Sequence, residues 1–275
     1  MKKMTLQDQQ SIGLEILKDV HGFCDSHGIK YSVAYGSLIG AIRHNGFIPW
    51  DDDVDIIMPR PDYDRFCRDY RSDAYTVISR SSDSACMIAY ARVADCKTTI
   101  CSSKVPWCSQ AVGVWIDVFP VDSVSDDLSI YRKQFKTLSR LWKRTIWERQ
   151  AKTSIDMYNW KLLPTIKLLM KKLLFLNGAR LFRHVDYLIE EGQRLQWGET
   201  AHFAQLACLD GKVDGEYLPF NSFASCIDVR FEDAVVKVLS GYEEVLSKMY
   251  GDYRKLPPPQ MRIPHNNVLN KWYWK

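Results

Sequence analysis

The chain has 275 residues and a formal net charge of +4, with 46% hydrophobic and 25% charged residues. This composition excludes an intrinsically disordered chain, because disorder requires few hydrophobic residues and a high net charge. The positive charge is also too small for a nucleic-acid-binding surface, so we expect no nucleic-acid partner. A chain of this length can bury a core of the size found in enzymes.

The N-terminal sequence "MKKMTLQDQQSIGLEIL" has polar residues where a signal peptide would have an unbroken apolar run. No run of about 18 apolar residues, the length that spans a membrane, follows it. We therefore expect a cytoplasmic protein whose eight cysteines are reduced thiols.

The first half of the sequence alternates between helical and strand-like patterns. Helices are predicted at Leu6–Cys24, which Gly28 ends, at "LIGAIRH" and at Pro61–Asp69. Strands are predicted at "KYSVAY", "DVDIIMP", "YTVIS", "CMIAYARV" and "AVGVWIDVFPVD", and Pro120 should end the last of them.

The composition changes after about Val124, where two long segments read as basic helices rich in Leu, Trp and Phe. Short strands, a helix near Gly241 to Tyr250 and a proline-rich tail follow. The sequence thus predicts an α/β (α+β) protein in which helices flank a mixed sheet. We expect a catalytic core over residues 1–123, a basic helical subdomain over 124–205, and a C-terminal part over 206–275 that completes the cleft.

Four aspartates, Asp51, Asp52, Asp53 and Asp55, crowd the entrance to the second predicted strand. Because side chains alternate along a strand, Asp53 and Asp55 should share one face and bind Mg²⁺ or Mn²⁺ together. Asp117, an isolated acid in a later strand, would complete a two-metal site. Asp51 and Asp52 are assigned to shaping the loop. The alternative is a solvated acidic loop that binds no metal.

Gly36 and Ser37 lie at a predicted strand-to-helix turn, where backbone N–H groups and a hydroxyl can bind phosphate oxygens. A Gly-Ser turn, then D-x-D, then an isolated acid in a third strand is the order typical of the nucleotidyltransferase fold.

Three blocks of sequence together resemble the LicD family, which includes the fukutin-related proteins: "YGSLIGAIRHNGFIPWDDDVDIIMPRPDYDRF", "WIDVFPVD" and "YGDYRKLPPPQMRIPH". The resemblance covers roughly residues 28–122 and 231–265, but not the basic helical middle. It implies a nucleotidyltransferase-like fold and the transfer of a phospho-substituent to a sugar of a surface glycan. The most familiar donor in the family is CDP-choline, which transfers phosphocholine and releases CMP. Related CDP-alcohols or CMP-phosphonates are further candidate donors.

By the family's motif, Asp53 and Asp55 correspond to the metal-binding pair, Gly36 and Ser37 to the phosphate-side turn, and Asp117 to the acid of the second block. Asp117 is also our candidate base, which would take the proton of the attacking sugar hydroxyl. The residues that could bind phosphate are Arg43, His44, Arg60, Arg92, Arg262 and His265. Each of them could instead be a surface ion-pair residue or a structural histidine.

The basic segment from Lys161 to Arg183 has an apolar side that would suit an anionic membrane surface, where lipid-linked glycan acceptors are assembled at the inner face of the cell membrane. Its Leu and Phe residues could equally belong to the core. Two other functions stay open: a CTP-dependent nucleotidyltransferase that releases pyrophosphate, and a non-catalytic module that binds glycans or membranes.

Overall fold

The computed structural model of the chain describes residues 1–103, 107–151, 166–167, 169–170, 178–209, 211–264 and 270–275. Within this part of the chain the α-helices are α1 Leu6–His27, α2 Tyr35–His44, α3 Arg60–Asp69, α4 Leu128–Ala151, α5 Gly178–Gly192, α6 Val213–Glu216 and α7 Tyr242–Tyr250. The strands are β1 Ser32–Val33, β2 Asp55–Pro59, β3 Tyr75–Ile78, β4 Ala91–Asp95, β5 Thr99–Ser103, β6 Trp115–Val124, β7 His202–Ala204, β8 Leu218–Pro219, β9 Cys226–Phe231, β10 Ala234–Leu239 and β11 Asn270–Trp274.

A mixed sheet of seven strands forms the centre of the protein, in the order β1-β2-β6-β4-β3. Strands β2 and β6 are parallel, whereas β1, β4 and β3 pair antiparallel with their neighbours. Strand β7 pairs with the last residues of β6, and β8 pairs with β7. A mixed sheet flanked by helices confirms the predicted α/β class.

Helix α1 confirms the first predicted element almost to the residue. Thr5 and Asp8 form a capping box at its start, and Gly28 ends it in the left-handed conformation at φ 61°. Ile16, Leu17 and Val20 are fully buried, so the apolar stripe read from the sequence is the face that packs on the sheet.

Two predicted strands are shorter in the structure. Of "KYSVAY" only Ser32 and Val33 are in a strand, because Tyr35 has a positive φ of 51° and begins α2. Of "CMIAYARV" only the part from Ala91 onwards joins the sheet, although the residues before it are buried.

Strand β6 continues to Val124, so the prediction that Pro120 would end it is wrong. The N–H of Asp117 donates to the carbonyl of Val54 on the β2 side. By alternation, the nitrogen of Pro120 faces the opposite edge, two residues beyond Val118, the last residue paired with β4. No ladder hydrogen bond to β4 is therefore lost at this position.

Two smaller antiparallel ladders flank the sheet. The β9–β10 hairpin packs beside β1, where the N–H of Leu239 donates to Ser32 Oγ at 2.9 Å. Strand β11 pairs with β5, and the N–H of Met4 donates to the carbonyl of Trp272, so both ends of the chain meet at this ladder.

The predicted basic helices are present as α4 and α5, which pack against each other, and α5 also packs against β6. Most of the segment from Lys161 to Arg183 lies outside the described residues, so its membrane contact stays a prediction. Leu169 and Met170 of this segment are exposed. Among the residues that the structure describes, no helix is both long enough and apolar enough to cross a membrane.

Candidate active site

Three neighbouring strands bring charged residues side by side across the sheet. The register pairs Asp55 of β2 with Asp117 of β6, and Asp117 with Arg92 of β4. Residues paired in this way project from the same face of a sheet. Asp55 and Asp117, which are 62 positions apart in the chain, are therefore adjacent in space, as the sequence predicted.

The loop before β2 adds three more carboxylates. Asp51, Asp52 and Asp53 each offer an oxygen, and the three oxygens lie within 4.8 Å of one another. The sequence assigned Asp51 and Asp52 to shaping the loop, whereas the structure places them where they could also bind a cation. The unbroken run of aspartates was the only signal for this.

Burial and the charges of their neighbours both disfavour the ionised form of these carboxyl groups. Burial raises the pKa of Asp51 to about 6, and the charge of Asp52 adds to the shift. Burial, followed by the charges of neighbouring aspartates, also raises the pKa of Asp53 and Asp55 well above the usual range. A divalent cation would relieve this repulsion, and oxygen donors of this kind suit Mg²⁺ or Mn²⁺.

Helix α2 holds the acids in position. Ser37 Oγ accepts a hydrogen bond from the N–H of Asp55 at 3.0 Å, and the carbonyl of Asp55 accepts one from Ala34. Gly36 lies against Asp51, since a β-carbon at Gly36 would come within 2.5 Å of Asp51 Oδ2. Gly36 and Ser37 therefore position Asp51 and Asp55, in addition to the contact with phosphate that the sequence predicted.

Arg92 holds Asp117. Its Nε donates to Asp117 Oδ1 at 2.5 Å, and its guanidinium lies 4.4 Å from the ring centroids of both Trp107 and Trp115. Burial opposes the charged form, but the Asp117 carboxylate outweighs it and raises the pKa of Arg92. Arg92 therefore stays charged and fixes the orientation of Asp117.

Four of the acids, Asp51, Asp53, Asp55 and Asp117, line one wall of a cavity of about 540 Å³. Side chains from distant parts of the chain complete it, and aromatic rings and sulfur dominate the apolar part. These apolar residues are Tyr35, Trp50, Tyr90, Phe119, Met249 and Tyr250. The sequence did not single out any of them.

Comparison with known proteins identifies the family. The model of the LicD/FKTN/FKRP nucleotidyltransferase domain matches residues 28–153. The chain is 30% identical over 276 aligned residues to the lipopolysaccharide cholinephosphotransferase LicD of Haemophilus influenzae, and the match covers 97% of each protein. The chain belongs to the LicD family. It is a transferase with the nucleotidyltransferase-like fold that the sequence predicted.

Other proteins match shorter segments of the chain. An uncharacterized protein of Rickettsia prowazekii, RP689, is 40% identical over 57 residues, which are 20% of this chain and 21% of that protein. Human ribitol 5-phosphate transferase FKRP is 45% identical over 42 residues, which are 15% of this chain and 8% of that protein.

The remaining candidate phosphate ligands of this LicD protein lie in different places. Arg43 donates to the carbonyls of Tyr253 and Lys255, and its Nε donates to His44 Nε2 at 3.0 Å. These two residues thereby tie the end of α2 to the C-terminal block. The predicted phosphate contacts of Arg43 and His44 stay predictions.

Arg60 and Arg262 have quite different surroundings. Arg60 forms a buried bidentate pair with Asp122, at 2.6 and 2.8 Å, and does not line the cavity of the acids. Arg262 donates to the carbonyl of Pro257 and lies 5.5 Å from the ring centroid of Trp50, which does line the cavity. His265 lies outside the described residues.

Proposed function

We propose that this chain transfers phosphocholine from CDP-choline, or a related group from a CDP-alcohol or CMP-phosphonate, to a sugar hydroxyl of lipopolysaccharide or another cell-surface glycan. The observation that carries the proposal is the group of four aspartates, Asp51, Asp53, Asp55 and Asp117, on the wall of an aromatic-lined cavity of about 540 Å³, with Asp52 beside them and Arg92 paired to Asp117. The match along almost the whole length of a lipopolysaccharide cholinephosphotransferase supports the same reaction.

Different residues of the site would bind the cation and hold its ligands in position. Asp51, Asp53 and Asp55 would hold Mg²⁺ or Mn²⁺, and Ser37 keeps Asp55 in place. When bound, the cation would neutralise the diphosphate of the donor and the charge on the leaving CMP.

Asp117 is the candidate base. Arg92 holds Oδ1 of Asp117, so Oδ2 is the atom that would take the proton of the acceptor hydroxyl. The hydroxyl oxygen attacks the distal phosphorus, the bond from that phosphorus to the bridging oxygen breaks, and CMP leaves with the electron pair. The sequence also assigned Asp117 to the metal, and that role stays a prediction.

The deciding experiment follows CMP release. The protein is incubated with Mg²⁺, a glycan acceptor and a panel of CDP-alcohols and CMP-phosphonates, and CMP is quantified. We expect Asp53→Asn and Asp55→Asn to abolish release, because each removes a negative ligand from the site. Asp228→Asn is a matched control, since Asp228 is exposed on β9 and pairs only at the surface with Lys237. Undiminished CMP release by the Asp53 and Asp55 variants would refute the assignment.

The same assay separates the other two functions. A CTP-dependent nucleotidyltransferase would release pyrophosphate from CTP and a phosphorylated metabolite instead of CMP. A non-catalytic glycan- or membrane-binding module would release neither product and would not bind Mg²⁺ or Mn²⁺.

A lipid-linked acceptor would bring the protein to the inner face of the cell membrane. Flotation with anionic vesicles tests this part separately. The peripheral contact is refuted if the wild type does not float, or if it floats equally well after Lys167, Lys171 and Lys172 are changed to Glu.

A further inference from the structure

Glu216, the last residue of the short helix α6, is a buried acid that lines the cavity of the aspartates. Only 6% of the surface of Glu216 is exposed, and Gly211 lies directly against its carboxylate. Within the described residues, no hydrogen-bond donor or cation contacts this carboxylate. Burial alone raises its pKa to about 8.

The other buried acids outside the aspartate group have clear partners. Asp122 is paired with Arg60, Glu148 contacts His184 and Arg144, and Asp95 accepts from Thr98 and Thr99. A buried carboxylate without such partners is destabilising, because it loses its hydration and gains nothing in return. The position of Glu216 on the wall of a ligand-sized cavity indicates that its partner is a ligand.

Two tyrosines, Tyr35 and Tyr250, line the same cavity as Glu216 and the catalytic acids. Burial, followed by the charge of Glu216, raises the pKa of both tyrosines. Phe119 packs edge-on against Tyr35, with ring centroids 5.8 Å apart. A group attached to the reacting phosphorus therefore has aromatic walls and a carboxylate within reach.

This combination fits one class of head group. A quaternary ammonium has no N–H to donate, so it is recognised by a negative charge and by aromatic faces. Resting on the proposed function, we propose that Glu216 is the counter-ion of a quaternary ammonium alcohol carried by the donor, and that it selects this alcohol over neutral ones. Binding of the cation would displace the proton that burial keeps on Glu216, whereas a neutral polyol would leave the carboxyl protonated and without a partner.

The test compares CDP-choline with its neutral isostere, the CDP ester of 3,3-dimethylbutanol, in which carbon replaces the nitrogen. The ratio of the two kcat/KM values reports only on the charge. We expect the wild type to prefer choline, and Glu216→Gln to reduce that preference by roughly 30-fold or more, as for the loss of one member of a buried charge pair. Glu216→Asp keeps the charge and should keep most of the preference. Asp214→Asn, an exposed change on the same helix, should leave the ratio as in the wild type.

A binding arm separates this inference from the proposed function. Phosphocholine and the phosphate ester of 3,3-dimethylbutanol are titrated into the wild type and Glu216→Gln by calorimetry, with Mg²⁺ present. If the wild type releases no CMP but still prefers phosphocholine through Glu216, the proposed reaction fails and the head-group assignment stands. If the wild type binds both esters equally, or Glu216→Gln keeps the full preference, Glu216 is not the counter-ion.

Discussion

Two Arg–Asp pairs, one buried and one half-buried, make a matched experiment. Arg92 and Asp117 lie at the aspartate group, whereas Arg60 and Asp122 lie outside its cavity. Arg92→Met and Arg60→Met each remove the charge from one pair and keep a side chain that can pack. We expect both variants to lose stability, but only the first to lose turnover.

The expected loss of stability of each variant follows from the contacts of the arginine that is removed. Breaking a buried pair by removing one partner costs about 3–5 kcal/mol, because the remaining carboxylate is left uncompensated. Arg92 also lies over two tryptophan rings, and a desolvated contact of this kind contributes about 2 kcal/mol. Arg60 also lies over a ring, that of Tyr63 at 5.2 Å, so Arg92→Met and Arg60→Met should lose comparable amounts, each a large part of the roughly 5–15 kcal/mol that stabilises a typical domain.

The assay is urea unfolding in EDTA, followed by CMP release at a temperature at which each variant is folded. Turnover is expressed per folded molecule. Arg92→Lys is the milder variant: it keeps the charge but loses the planar contact with both rings, so its loss of stability should be intermediate. We expect Arg92→Met to lose turnover because Asp117 is no longer oriented.

Two results would refute this reasoning. If Arg92→Met were within about 1 kcal/mol of the wild type, the ion pair would not stabilise the fold as its geometry indicates. If Arg60→Met lost turnover per folded molecule as Arg92→Met does, Arg60 would act in the reaction, as the sequence originally predicted, and its pairing with Asp122 would not be its main role.

Three further changes test the positioning of the site. Gly36→Ala would force a β-carbon against Asp51 Oδ2, so the increase in Tm on adding Mg²⁺ should shrink well below that of the wild type. Ser37→Ala removes the acceptor for the N–H of Asp55 and should cost about 1–3 kcal/mol in urea unfolding; an unchanged stability would show that water replaces the hydroxyl. Glu216 has its pKa raised from 4.5 to about 8, so the folded wild type holds a proton that the unfolded chain releases, and this carboxyl makes the fold less stable as the pH rises from 4.5 to 8. Glu216→Gln lacks this dependence, so relative to the wild type it should gain roughly 3–4 kcal/mol between pH 5 and pH 8 without ligand, and parallel curves would contradict the raised pKa.

Local patterns in the sequence were enough for most of the elements. Helix α1, the strand that contains Asp55 and the helix after it all lie close to where apolar spacing, capping residues and proline predicted them. The errors came where distant contacts decide the outcome. Tyr35 leaves the first strand because the chain turns there, and Pro120 stays within β6 because β4 does not extend to it.

The sequence predicted only those residues of the site that local patterns and a family motif could identify. Alternation along a strand and a family motif pointed to Asp53, Asp55 and Asp117, and the sheet register places Asp55 beside Asp117. Neither signal could show that Asp51 packs on Gly36, or that Asp52 offers an oxygen to the same group. Those facts depend on how the loop before β2 folds against α2.

By itself, the sequence determined the order of the elements, the acidic entrance to β2 and the family, since these depend on residues that are close together in the chain. Only the tertiary structure decided which arginine meets which aspartate, because several arginines of similar local context compete for a few carboxylates. Arg92 was brought to Asp117 by the register of neighbouring strands, and Arg60 to Asp122 across 62 positions. The structure also revealed Glu216, whose local sequence "VDGEY" carries no motif; its importance comes from its burial beside a cavity that distant segments build together.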